Sequence, residues 1–140
     1  MAEQDSKCVI VLDDALPTGL LANTAAILGI TLGKLVPELI GDDVQDASGQ
    51  THPGITMLPV PVLQCSREAL HTMRKKLYSE DFSDIVAVDF SDVAQRCTDY
   101  NEYRARAKAT STSGHSYLGI AILGPRKKVA KLTGNMALLK

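Results

Sequence analysis

The chain has 140 residues, 45% of them hydrophobic and few aromatic, with a formal net charge of -1. That length fits one domain around one core, and a Val, Ile, Leu and Ala supply suits an α/β layer fold. Near-zero charge argues against an extended basic grip on nucleic acid, and three cysteines without C-x-x-C spacing argue against a disulfide framework.

The first residues, MAEQDSK, lack a basic segment followed by an apolar run, and no apolar stretch reaches the roughly 20 residues of a membrane span. A cytoplasmic protein without a membrane partner is the expectation. Lys7 to Leu12 is a continuous apolar, β-branched run ending at Asp13 and Asp14, which predicts a strand buried on both faces. After Pro17, Thr18 and Gly19, the stretch Leu20 to Leu32 is apolar almost all round and predicts a buried helix on the sheet. Residues 37–54 carry Gly, Asp, Ser and Pro with no sustained period and predict an ordered loop.

Ile55 to Leu63 is strand-like, but Pro59 and Pro61 cannot donate ladder hydrogen bonds, so an edge or bent strand is expected. Ser66 caps a predicted amphipathic helix from Arg67 to about Tyr78. Ile85 to Phe90 reads as a second buried strand, and Ser91 and Asp92 offer caps for one helix running to about Lys108. A polar loop over 109–114 leads to a strand from Tyr117 to Leu123, then a short basic helix from Lys127 to Leu132 with Gly134 as its C′ residue. The order predicts three α/β/α layers around a mixed four-stranded sheet, as a single domain over 1–140.

Two segments carry a resemblance: KCVIVLDDALPTGLLANTAAILG at 7–29 and LGIAILGPRKKVAKLTGNMALL at 118–139. Both are similar to the type II peptidyl-tRNA hydrolases, with Gly124, Pro125, Val129, Lys131, Thr133 and Gly134 matching the closing pattern. A resemblance spanning nearly the whole chain is to the uncharacterised family domain of unknown function 2000, through Asp13 to Leu20 and His52 to Ile55. These likenesses imply a peptidyl-tRNA hydrolase II-like fold. Leu20 stands where the hydrolases carry a lysine, Asn23 is the lone strongly polar residue of the first helix, and only Gly114 of their later loop carries over cleanly.

Asp13 and Asp89 each end a buried strand; on neighbouring strands they could divide acid and base roles, the alternative being turn and cap bonds. With His115 they form the candidate catalytic set. Thr18, Gly19, Asn23, Ser113 and Gly114 are the candidate ligand contacts at the strand ends, where open α/β sheets place ligands. Arg126 and Lys127, with Lys128 and Lys131, could dock an anion or could be a solvated helix face. A composite site of His52, His115 and an aspartate is one reading of the histidines, but their spacing designates no metal site. Cys65, just before a helix, is the one thiol with an activating dipole in reach.

No cofactor is implied. The leading expectation is a small-molecule or nucleotide-fragment binding domain, with hydrolase chemistry open. The alternatives are a peptidyl-tRNA esterase contacting the tRNA acceptor end and a non-enzymatic homodimer.

Overall fold

The computed structural model describes residues 5–140; the expectation drawn from the first residues falls largely outside them. Strand β1 (Ser6–Asp13) is buried at nearly every position. Its alternation divides the core: Cys8, Ile10 and Leu12 face one side and Val9 and Val11 the other. Helix α1 (Thr18–Leu35) covers the first side, with Thr24, Leu28 and Leu32 as its buried stripe.

The sequence predicted α1 to be buried all round, but its outer residues are exposed, Ile30 to 75%. It is, among the described residues, the one helix long and apolar enough to cross a membrane. Here its inner stripe is the cover of the sheet.

Residues 36–58 form an ordered excursion, longer than the loop expected over 37–54 because no strand forms over 55–61, containing a miniature hairpin of β2 (Val44–Gln45) and β3 (Thr51–His52). Asp46 organises its turn, its Oδ1 accepting from the Ser48 and Gln50 amides and its Oδ2 meeting His52 Nε2 at 2.9 Å. Strand β4 (Val62–Cys65) begins only after Pro59 and Pro61, because pairing needs donors that those residues lack. Pro61 still offers its carbonyl to Ile10 N at 3.0 Å.

Helix α2 (Arg67–Leu77) starts as predicted at Ser66, whose Oγ accepts from Ala69 N at 3.1 Å. It presses Leu70, Met73 and Leu77 onto the second side of the sheet. Strand β5 (Val86–Ser91) follows, then two helices, α3 (Asp92–Gln95) and α4 (Tyr100–Lys108), in place of the single expected helix. The break has a local cause: Asp99 caps Glu102 N at 2.8 Å while the Glu102 carboxylate reaches back to Thr98, which starts a new helix.

Strand β6 (Tyr117–Pro125) leads into α5 (Arg126–Thr133) and β7 (Ala137–Leu138). Gly134 sits at φ -63, so the glycine C′ expectation is corrected: this helix does not end in the left-handed conformation.

The sheet has five strands in the order β5-β6-β1-β4-β7, not four. β4 runs parallel to β1, while β6 is antiparallel to both β1 and β5. The expected edge strand therefore lies inside the sheet, because β7 pairs with Leu63 and Gln64. Two residues of strand are too short to leave a period in the sequence.

Thr24 is fully buried and its Oγ1 has no hydrogen-bond partner among the described residues. A buried, unpaired hydroxyl carries its whole desolvation cost. Thr24→Val keeps the shape and removes that cost, so chemical unfolding should show a gain of about 1 kcal/mol.

Candidate functional site

The carboxyl ends of β1 and β5 and the start of β6 lie at one edge of the sheet, beneath α2. Asp13 ends β1 and is 1% exposed. Its Oδ1 accepts from Ala15 N at 2.9 Å, an Asx bond that turns the chain, and its Oδ2 accepts from Arg67 Nε at 2.7 Å. Asp89 accepts from Arg74 Nε at 2.8 Å. Arg67 and Arg74 stand seven residues apart, close to two turns, so both guanidiniums descend from one face of α2.

The two aspartates are not on neighbouring strands. β6 lies between them, pairing Ile120 with both Asp89 and Val11, so Asp89 is level with Val11. Two strand spacings, about 10 Å, separate those rows, and a proton shared between Asp13 and Asp89 is ruled out. Each carboxylate is instead matched by its own arginine. Cys65, opposite Asp13 in register, has its thiol pushed up to about 11 by burial, with the charges of Asp14 and Asp13 adding to the effect. It is a thiol at neutral pH, so burial and the nearby carboxylates outweigh the helix dipole in its reach.

Where β5 meets β6, Phe90 pairs with Gly119 but Ser91 pairs with Tyr117, leaving Leu118 as an extra residue. The bulge breaks the alternation: Leu118 packs into the α1-side core and Tyr117 into the α2-side core. The Tyr117 ring then lies 6.1 Å from His71, tilted by 39°, and 6.1 Å from His115, nearly parallel at 10°. Burial, then the nearby Asp89 charge, pushes its phenol up to about 12, so it remains an O–H donor.

Ser91 does not cap α3 with its side chain; its buried Oγ lies 3.1 Å from His115 Nδ1. Asp92 holds the same loop by accepting from Ser116 N at 2.9 Å. A Cβ on Gly114 would come within 2.8 Å of Thr110 Cγ2, so a larger residue there would have to displace that side chain.

Together these elements leave a slot of about 170 Å³ walled by His71, Lys75, Thr112, Ser113 and Tyr117. Its wall is mostly carbon, with basic and hydroxyl groups at the tips of the lining side chains. Of the residues proposed from sequence, Ser113 lines the slot, while His115 stacks on its tyrosine and Gly114 shapes its loop. Thr18, Gly19 and Asn23 are exposed on α1, which covers the opposite face, and Gly19 has open space around it.

Arg126 and Lys127 lie at the other end of the sheet. Ser6 pairs with Pro125 whereas Leu12 pairs with Gly119, a separation of roughly 20 Å along the strands. Arg126 Nη2 donates to Ser6 O at 3.3 Å, and Lys128 is held by the Asp81 carbonyl and Asp84. His52 is engaged by Asp46 and His115 by Ser91, so the composite histidine site does not form.

The sequence reading missed His71, Arg67, Arg74, Lys75 and Tyr117. The available signal was the interruption of the amphipathic pattern of α2 by basic residues on the side facing the strand ends.

The family described as Protein of unknown function (DUF2000) matches residues 6–140. The chain belongs to the DUF2000 family. The slot residues and the aspartate and arginine pairs all fall within the matched span. Among solved structures, a protein of unknown function from Agrobacterium tumefaciens strain C58 has a TM-score of 0.87 at 22% identity, covering 97% of this chain and 98% of that one. It shows that the DUF2000 chain adopts the same fold. No curated protein matches the chain.

Raised thiol and phenol values make this domain alkali-sensitive. Cys8 and Cys65 are pushed up to about 11 and Tyr117 to about 12, in each case mainly by burial. Above their ordinary values the unfolded chain loses these protons first, so folding stability is full below about pH 9 and falls as pH rises through 11 to 12. Urea midpoints measured from pH 7 upward should be flat and then drop; Tyr117→Phe should remove the part of the drop above about pH 10.

Proposed function

We propose that this domain binds a small ligand, or the ring-sized end of a nucleotide-like one, in the slot beside Tyr117. The carrying observation is the convergence of His71, His115 and Tyr117 with Lys75 and Ser113 at the carboxyl edge of the sheet. An engineered cavity of about 150 Å³ holds benzene, so a slot of about 170 Å³ suits one ring. Flat carbon walls favour that ring, while Lys75 and the Thr112 and Ser113 hydroxyls favour an anionic substituent on it.

If the ligand is also hydrolysed, His115 is the candidate general base and Ser91 its positioning partner. Asp13 and Asp89 then act through Arg67 and Arg74, keeping α2 and its His71 and Lys75 in place. Titration with nucleoside monophosphates and aryl phosphates, followed through the histidine ring signals, tests the site. Lys75→Ala should weaken binding about tenfold, equivalent to about 1.4 kcal/mol, and Asn23→Ala should leave it unchanged. Binding that ignores Lys75→Ala, or that fails in Asn23→Ala, would sink the reading.

The peptidyl-tRNA hydrolase II-like character of the fold belongs to this proposal. It is supported by the closing pattern from Gly124 to Gly134 and by a β1, turn and α1 opening. Three free thiols suit a cytoplasmic location, and the exposed outer face of α1 suits a homodimer. Peptidyl-tRNA turnover and a solution mass belong beside the titration.

A further inference from the structure

A second pocket, of about 230 Å³, opens at the amino end of β1, away from the Tyr117 slot. Its apolar wall comes from the end of α1 (Leu35), the excursion (Leu39, Met57, Leu58) and the sheet (Val86, Leu123). The deep residues are well buried, Leu39 and Leu58 to 8% exposure and Leu123 to 2%, whereas Leu35 and Met57 stand 54% and 49% exposed. The apolar character therefore continues out to solvent.

The wall is built in place. Met57 N donates to Leu39 O at 2.9 Å, Leu39 N to Val36 O at 3.0 Å and Gly41 N to Ile55 O at 2.9 Å. A Cβ on Gly54 would collide with the Gly41 carbonyl, so the two arms of the excursion close on one another with no room to spare. A preformed apolar cavity with few polar groups is the usual form of a small-molecule site. This one exceeds the roughly 150 Å³ that accommodates benzene.

Among the described residues, Glu38 is the one ionisable side chain on the lining. Among the described residues it is in no ion pair, and Lys34 one turn earlier does not reach it. An unpaired carboxylate at an apolar pocket selects a cation carried on an apolar tail.

We propose that this pocket binds a small amphipathic amine, its alkyl or aryl end against Leu58 and Leu123 and its ammonium at Glu38. The proposal is independent of the Tyr117 slot. Hexylamine, hexanol and hexanoate are titrated separately into the intact protein, following the Met57 methyl and the His71 ring by NMR.

Hexylamine should shift the Met57 methyl saturably, bind about fivefold more tightly than hexanol, and leave His71 still. Hexanoate should be the weakest of the three. Glu38→Gln should remove the amine preference while keeping hexanol binding, and Met57→Trp, at the half-exposed mouth, should block both.

Absence of a saturable shift would overturn the proposal. So would equal affinity for all three head groups, binding that survives Met57→Trp, or a Met57 shift that follows protein concentration instead of amine, which would mean that a second copy covers the pocket.

Discussion

Arg67→Ala should destabilise the domain by about 3 kcal/mol, more than the roughly 2 kcal/mol expected for Asp13→Ala. The asymmetry follows from exposure: the Asp13 side chain is 2% exposed and that of Arg67 is 47% exposed. Removing the arginine leaves a buried carboxylate without its counter-charge. Removing the carboxylate leaves a guanidinium that can turn into water, so the cost is chiefly the lost Asx bond to Ala15 and the vacated volume. Thermal unfolding of both variants checks the order, and for a chain of this size 3 kcal/mol corresponds to about 10 °C. Equal losses would mean that Asp13 reaches water more readily than its burial implies.

Gly119→Ala should cost about 2 kcal/mol by overpacking. Its new Cβ would lie 2.8 Å from Leu12 Cδ2, 2.9 Å from Thr24 Cγ2 and 3.1 Å from Leu28 Cδ1. All three neighbours are held at 1% exposure or less where α1 meets β1 and β6, so none has space to yield. Trimming one of them should recover part of the loss: Gly119→Ala combined with Thr24→Ser should be less destabilised than the sum of the single changes. Additive losses in urea unfolding would show that the sheet moves as a whole instead.

The parts of the fold legible from sequence were those in which one strong local pattern agreed with burial. Lys7 to Leu12 and Tyr117 to Leu123 could only be buried strands, and Ser66 announced α2 through its capping hydroxyl. The split between α3 and α4 was also written locally, in Asp99 and Glu102, but an intact helix was favoured there. β7 was not legible because it exists by pairing with β4, not by any pattern of its own.

The candidate site divides in the same way. Ser113, Gly114 and His115 were found because a polar loop meets a buried strand. Asp13 and Asp89 could be named, but strand order decides whether they meet, and nothing short of the pairing supplies that. His71 and Tyr117 come together across 46 residues of chain through a bulge that no periodicity reveals.

That bulge makes the back wall of the slot a matter of parity. Leu118 is the odd residue, sharing the α1 side with its neighbour Gly119 and so moving Tyr117 to the other layer. If Leu118 paired with Ser91 in regular register, even alternation would swing the tyrosine toward α1 and remove the surface on which both imidazoles rest, whereas deleting Leu118 would leave the tyrosine beside Gly119 and still on the α2 side. The slot is thus encoded less by which residues line it than by the shift in pairing between Phe90 and Ser91. A chain could keep every lining side chain and lose the slot by one step of pairing.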